Sequence, residues 1–156
     1  MTNDTATEQD VVARTSSDDS GTRSVVVDYE LTESVDKVWR ALTDAKLLEA
    51  WLMPNDFLPV AGHRFTFRTR PMHGWDGIVH CEVLELVPQQ LLAYSWRSND
   101  LDTVVTWTLE RKLGGGTLLH LEHSGFEGDG FAYQAISQGW VTKIHTSISK
   151  VLSTFD

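Results

Sequence analysis

Residues 131–155 read FAYQAISQGWVTKIHTSISKVLSTF, and the spacing of their apolar side chains decides the fold. From Tyr133 onward these side chains step by three or four positions, which is the stripe of an amphipathic helix. A helix of roughly 25 residues is about 37 Å long at 1.5 Å per residue. Asp129 is its expected N-cap, and Gly139 suggests close packing because glycine costs a helix up to about 1 kcal/mol relative to alanine. The stripe consists of Tyr133, Ile136, Trp140, Ile144, Ile148, Val151 and Phe155.

The residues before this helix predict the sheet that covers its stripe. Apolar and polar residues alternate over residues 25–31, which indicates a first strand. One short helix begins after the N-cap Ser34, and a second begins at Asp44 and is stopped by Pro54. This order predicts an α+β fold in which an antiparallel sheet of about six strands wraps around the long C-terminal helix. The five further strands are expected at residues 62–70, 78–87, 91–97, 103–112 and 117–126.

The chain of 156 residues is expected to form one domain with a tail. Residues 1–24 carry five acidic residues and two arginines among Thr, Ser, Asp and Gly. Such a segment buries too little apolar surface to offset the entropy of ordering it. We therefore expect residues 1–24 to be a disordered acidic tail and residues 25–156 to be the folded domain.

The charge and the cysteine content exclude several classes of partner. A net charge of −9 at pH 7 disfavours nucleic acid and anionic membrane as partners, because both are bound mainly by Lys and Arg. Cys81 is the single cysteine, so an intrachain disulfide is excluded. No signal peptide or membrane span is visible, and we expect a cytoplasmic protein.

Several short motifs resemble one known superfamily when they are taken in order. Residues 38–44 (VWRALTD) resemble its opening helices, and residues 61–65 (AGHRF) resemble the entry to its second strand. Residues 83–88 (VLELVP) resemble its central hairpin, and residues 123–126 (HSGF) followed by 139–140 (GW) resemble its closing strand and helix. The ordered set is similar to the START-like (SRPBCC) helix-grip superfamily, and most similar to the branch of activators of the heat-shock protein 90 ATPase.

This resemblance covers residues 25–156 and implies a fold rather than one activity. The superfamily implies a helix-grip domain with a cavity between the sheet and the long helix. Its members include ligand binders, aromatic-polyketide cyclases, self-sacrificing resistance proteins and co-chaperone domains. Function must therefore come from the residues of the site.

The inward-facing aromatic and apolar side chains form the candidate ligand-binding set. A pocket lined by such residues with a few polar groups is typical of small-molecule sites. Aromatic side chains also fill cores that contain no cavity, and this alternative stays open. The candidate contacts are Trp51, Phe65, Phe67, Trp96, Trp107, Leu109, Leu119, Leu121, His123, Tyr133, Trp140 and Ile144.

His123 is the candidate catalytic residue, because strand alternation places it on an apolar face. It could transfer a proton near neutral pH, assisted by Tyr133 or Glu85. A structural role, in which a buried His123 bonds the backbone or a tyrosine, is the interpretation that we favour. A metal site is not expected, because His120 and Glu122 face away from His123 on a strand.

The leading hypothesis is a non-enzymatic binder of a small hydrophobic or aromatic molecule, without a cofactor. The ligand would lie between the sheet and the C-terminal helix, and residues 71–75 (PMHGW) would either gate the pocket or plug it. One alternative is a cyclase- or hydrolase-type enzyme that uses the same cavity. Another is a co-chaperone-like interaction module with a protein partner.

Overall fold

One antiparallel sheet of seven strands forms the frame of the protein. The computed structural model describes residues 11–17, 22–128 and 130–155. The strand order across the sheet is β1-β2-β7-β6-β5-β4-β3. Together with the helices this arrangement confirms the predicted α+β helix-grip architecture. The strands are β1 (Val11–Ser17), β2 (Thr22–Leu31), β3 (Arg64–Arg68), β4 (Ile78–Val87), β5 (Leu91–Ser98), β6 (Leu101–Arg111) and β7 (Thr117–Glu127).

Two short helices connect β2 to β3, as the sequence predicts. They are α1 (Val35–Thr43) and α2 (Ala45–Trp51). The side chain of Ser34 caps α1, and the carboxylate of Asp44 accepts two backbone N–H groups at the start of α2. None of the helices among the described residues is long and apolar enough to cross a membrane.

The first strand differs from the expected disorder of residues 1–24. Val11–Ser17 pair with β2 along their whole length, from Val11 opposite Tyr29 to Ser17 opposite Arg23. Antiparallel main-chain hydrogen bonds along the edge of β2 can form whatever the side chains are. The sequence prediction counted apolar burial alone and therefore missed this strand. Residues 1–10 and 18–21 lie outside the described residues.

The C-terminal helix is continuous but changes its hydrogen-bond pattern in the middle. It consists of α3 (Phe131–Gln138), a π-helical turn (Gly139–Lys143) and α4 (Ile144–Leu152). At the end of the π turn the Ile144 N–H donates to the Gly139 carbonyl, five residues back. The backbone of β1 also approaches this turn.

Two details of the helix prediction need comment. The expected cap Asp129 lies outside the described residues, and Gly130 occupies the N-cap position. The expected close packing at Gly139 is wrong, because a Cβ added there would meet no atom within 4 Å. Gly139 instead begins the π turn.

The free edge of β3 is covered by residues 54–56. The Pro54 carbonyl accepts the Arg68 N–H at 2.9 Å, and the Asp56 carboxylate accepts the Thr66 N–H at 2.7 Å. Between them, Asn55 forms a bridge opposite Phe67. The outward-pointing N–H groups of Thr66 and Arg68 are therefore occupied.

The turn between β6 and β7 offers a test of the packing between strand and loop. Gly114 and Gly116 both have positive φ, 85° and 87°. A Cβ on Gly114 would meet open space, whereas a Cβ on Gly116 would lie 2.7 Å from the backbone oxygen of Leu31.

We expect Gly114→Ala to lower the free energy of unfolding by about 1–2 kcal/mol, the cost of left-handed backbone in an L-residue. Gly116→Ala should cost more, because the end of β2 must also move. Urea unfolding of both variants measures the difference. Equal losses would show that Leu31 and Gly116 are not in close contact.

Candidate functional site

The candidate site is the interior between the concave face of the sheet and the C-terminal helix. All twelve predicted contact residues are buried, and all except the polar His123 belong to one apolar cluster. They come from α2, from strands β3, β5, β6 and β7, and from both parts of the C-terminal helix. The strand alternation thus assigned their inward direction correctly; whether they bind a ligand remains a proposal.

Aromatic rings fill much of this interior. The Trp107 ring lies 5.5 Å from the ring of Trp140 and 5.9 Å from that of Trp51, both edge to face. Trp96 lies 5.8 Å from Trp140 and 5.6 Å from Phe67. Three of these four contacts are edge to face, a favourable geometry for packed rings, and the Trp96–Phe67 pair is tilted at 38°.

Two surface depressions each have one of the predicted contacts in their lining, Leu109 in the first and Phe65 in the second. One, of about 200 Å³, lies beside the start of α1 near Pro88. The other, of about 340 Å³, is lined by Arg64, His80, Glu82 and Arg97 together with neighbours on β3 to β5. Among the described residues, neither depression opens between the sheet and the C-terminal helix. Because Trp140 contacts the rings of Trp96 and Trp107, a ligand placed between these side chains would have to displace part of the present packing.

Trp140 joins the helix to two strands at once. Its indole Nε1 donates to Nδ1 of His123 on β7 at 3.0 Å. Its backbone carbonyl accepts the hydroxyl of Tyr29 on β2 at 2.6 Å. In a regular α-helix this carbonyl would accept the N–H of Ile144, but that N–H donates to Gly139 in the π turn. The π turn thus leaves the Trp140 carbonyl open to Tyr29.

His123 lies in a chain of hydrogen bonds whose two ends fix its tautomer. An indole N–H can only donate, so Nδ1 of His123 accepts from Trp140. At the other end the Thr103 hydroxyl donates to the Trp96 carbonyl at 2.8 Å. That hydroxyl must then accept from His123 Nε2, which is 2.8 Å away. His123 is therefore neutral with its proton on Nε2.

The environment keeps His123 in this neutral form. Its side chain is fully buried, and burial lowers the pKa of its imidazole to about 3. Both ring nitrogens already have partners, so neither is free to accept a proton from a substrate. This geometry favours the structural role of His123 over the catalytic one.

The other candidate proton-transfer groups do not join His123. Glu85 is exposed at the outer end of β4, beside an irregularity in the β4–β5 pairing. His120 pairs with Asp28 on the outer face, and Glu122 is exposed there. No group of three His, Cys, Asp or Glu side chains suited to a metal ion occurs among the described residues.

Cys81 and two tyrosines are buried groups with little tendency to ionise. Burial, together with the negative charge of Asp56, raises the pKa of the Cys81 thiol. Burial also raises the pKa of the Tyr29 and Tyr94 hydroxyls. Tyr94 accepts a hydrogen bond from Trp107 Nε1 at 3.0 Å, so both tyrosine hydroxyls have partners.

Tyr133 is different, because its buried hydroxyl has no hydrogen-bond partner in the part of the chain that the structure describes. The residue is 6% exposed. Its ring lies 5.2 Å from the ring of Phe126, and the guanidinium carbon of Arg23 lies 6.0 Å from the ring centroid. A buried polar atom without a partner costs about 1–3 kcal/mol, and such atoms are rare in native proteins.

Sequence reasoning missed four residues of this region. Tyr29 and Thr103 share the inward parity of their strands, so alternation could have found them. Phe126 follows a position where the β2–β7 pairing shifts, between Arg23 and Ser24. Arg23 contacts Tyr133, which is 110 residues later in the chain, and no local sequence pattern predicts such a contact.

The two tyrosines give a matched test of the unpartnered hydroxyl. Tyr29→Phe removes a satisfied bond and leaves the Trp140 carbonyl unpaired, so we expect it to lower the free energy of unfolding by about 1–3 kcal/mol. Tyr133→Phe should leave that free energy unchanged or raise it by up to about 1 kcal/mol. Urea unfolding measures both. A loss in Tyr133→Phe as large as that in Tyr29→Phe would show that the Tyr133 hydroxyl is satisfied, for example by a buried water.

The lowered pKa of His123 predicts a pH dependence of stability. The unfolded state takes up a proton near pH 6.5 while the folded state does not, so this stability is complete above pH 6.5 and is lost as the pH falls toward 3. Between pH 7.5 and pH 5 the loss from this group is about 2 kcal/mol.

His123→Gln removes the titrating group and keeps one donor and one acceptor. Urea unfolding at both pH values should show a smaller loss on acidification in the variant than in the wild type. The same loss in both proteins would mean that His123 is not buried in its neutral form.

The comparisons with solved structures fit this geometry. The crystal structure of protein MLL2253 from Mesorhizobium loti is 37% identical, with a TM-score of 0.75, over 85% of this chain and 98% of that one. CalU16 from Micromonospora echinospora is 22% identical, with a TM-score of 0.73, over 92% and 87% of the two chains. Protein BH1534 from Bacillus halodurans is 20% identical, with a TM-score of 0.69, over 81% and 94%. The last two show similarity of fold alone.

The comparison with protein families covers most of the domain. No curated protein matches the chain significantly in sequence. The family model described as activator of Hsp90 ATPase homolog 1-like protein matches residues 32–153, from the end of β2 to the end of α4. The chain therefore belongs to the family of activator of Hsp90 ATPase homolog 1-like proteins.

Proposed function

We propose that the protein binds a small hydrophobic or aromatic molecule, without converting it, between the sheet and α3. The observation that carries the proposal is the uneven attachment of the C-terminal helix. One half of this helix buries four side chains and packs against other helices, whereas the other half buries Tyr133 alone and adds the partly buried Ile136.

The firm half is α4. It buries Ile144, Ile148, Val151 and Leu152, and it packs against both α1 and α2. Full burial of an aliphatic side chain contributes about 1.5–3 kcal/mol, so four such residues hold α4 in place.

The loose half is α3. Among its residues Tyr133 is the one that is buried, and Phe131 at its first position is 84% exposed. The π turn separates this half from α4, and such turns are frequent at functional sites. Elements with few buried contacts open at low free-energy cost, so α3 is the part of the helix that can lift.

The side chains that pack under α3 suit an apolar ligand. Phe126 and Trp96 present rings there, and His123 is neutral and fully hydrogen-bonded. The loop at residues 69–77 lies at the end of the sheet where α3 begins, and its Met72 side chain is 60% exposed. Asn99 bonds the Gly74 carbonyl in that loop at 2.9 Å, so two loops meet at the proposed entrance.

The same residues argue for binding rather than catalysis. Acid–base chemistry needs a group with a free proton or lone pair within reach of the ligand. His123 has both nitrogens occupied, Glu85 lies outside the interior, and the Tyr133 hydroxyl has no described acid or base bonded to it that could exchange its proton. The candidate contacts closest to the ligand would then be Trp96, His123, Tyr133 and Trp140.

The test combines a thermal-shift screen of neutral aromatic compounds with amide hydrogen exchange. A ligand at 100 times its dissociation constant should stabilise the protein by about 2.7 kcal/mol, which is roughly 4 °C in melting temperature. Without ligand, amides of α3 should exchange faster than those of α4, and ligand should slow the exchange of α3 most.

Gly139→Ala tests the opening step. Alanine favours regular helix by up to about 1 kcal/mol and meets no atom at this site, so the variant should open α3 less often and bind ligand more slowly. Gln138→Ala, at the adjacent exposed position, is the matched control and should keep the wild-type association rate. Equal exchange in α3 and α4, with no compound raising the melting temperature, would contradict the proposal.

A further inference from the structure

We infer that the ligand under α3 is an uncharged aromatic molecule with one hydrogen-bonding oxygen, a phenol or a ketone, which bonds the Tyr133 hydroxyl. This inference rests on the proposed binding function. It adds the chemical class of the ligand and the residue that selects it.

The first argument is the contrast between Tyr133 and the other buried polar groups of the interior. Trp51 Nε1 donates to the Ala41 carbonyl at 2.7 Å, and Trp107 Nε1 donates to Tyr94 at 3.0 Å. Tyr29 and Trp140 are likewise bonded. Folding has thus satisfied these groups within the chain, whereas the Tyr133 hydroxyl is buried and unpaired. A ligand oxygen would supply the missing partner.

The second argument is the charge of the surroundings. The rings nearest Tyr133 through the aromatic contacts are Phe126 and then His123, which is neutral. A carboxylate or an ammonium group moved among these rings would lose its hydration. Arg23 lies beside the Tyr133 ring but makes no hydrogen bond to its hydroxyl. A neutral oxygen is therefore the group that fits.

The third argument is the shape of the surrounding side chains. Phe126 and Tyr133 meet edge to face with their planes 76° apart, and Trp96 meets Trp140 at 61°. Rings arranged in this way offer both faces and edges to an inserted flat ring. An aliphatic chain would make the apolar contacts but would lose these ring contacts.

A phenol and a ketone both suit the geometry of hydrogen bonding. The tyrosine hydroxyl has one donor and two acceptor sites. It can donate to a ketone oxygen, and it can either donate to a phenol or accept from one. Phenols have a pKa near that of tyrosine, about 10, and remain uncharged at pH 7.

The experiment compares three probes that share one ring system: 2-naphthol, naphthalene and 2-naphthoate. Affinities are measured at pH 7 by tryptophan fluorescence on the full-length wild type, on Tyr133→Phe and on the control Glu122→Gln, at an exposed position on the outer face of β7. In the wild type and in Glu122→Gln, 2-naphthol should bind about 5- to 10-fold more tightly than naphthalene, because one net hydrogen bond contributes about 1 kcal/mol. In Tyr133→Phe the two should bind equally, and 2-naphthoate should bind most weakly to all three proteins.

The outcomes separate the two proposals. Equal binding of naphthalene and 2-naphthol to the wild type would overturn the ligand class and leave the binding function standing. A preference for 2-naphthol that persists in Tyr133→Phe, or tightest binding of 2-naphthoate, would overturn it in the same way. No binding of any probe, with no melting shift in the broader screen, would overturn both.

Discussion

The hydrogen bond from the Trp140 indole to His123 is the constraint on which the interior depends. It joins the middle of the C-terminal helix to an inner strand of the sheet, at a place where most of the surrounding contacts are apolar. Apolar packing alone would allow the helix to slide or rotate by small amounts over the sheet. A donor that must meet one acceptor fixes the helix in one position.

The remaining polar bonds of the interior extend this constraint in two directions. Through His123 and Thr103 it reaches the Trp96 carbonyl on β5, and through the Trp140 carbonyl it reaches Tyr29 on β2. Each member of the chain has its partner, so the low dielectric of the core strengthens the bonds instead of penalising unpaired groups. Tyr133, seven residues before Trp140, stands outside this chain of hydrogen bonds. The helix is thus ordered by polar contacts at its middle and by apolar contacts along α4.

Periodicity in the sequence was sufficient for the fold and for the inward direction of the site residues. It missed β1, whose place depends on main-chain bonds that side-chain patterns do not report. It also missed the π turn, although a signal was present: Ile136, Trp140, Ile144 and Ile148 are each four residues apart. Four residues advance an α-helix by about 400°, so three such steps would rotate the stripe by about 120° away from the sheet. A wider turn takes up part of that excess.

The site itself was less accessible to sequence reasoning than the fold. Alternation placed His123 inward, but only the positions of Trp140 and Thr103 reveal that its two nitrogens are occupied. Sequence patterns likewise could not show that the Tyr133 hydroxyl has no hydrogen-bond partner among the described residues. Bonds between residues far apart in the chain depend on distances that no local pattern encodes.

The pairing of residues 54–56 with the outer edge of β3 affects how readily the protein aggregates at high concentration. An exposed strand edge is a template on which another chain can extend a sheet, and this leads to aggregation. Residues 54–56 occupy the outward N–H groups of Thr66 and Arg68. A second molecule could therefore add to this edge only after these bonds were broken, so the short connection after α2 protects the protein against self-association at this edge.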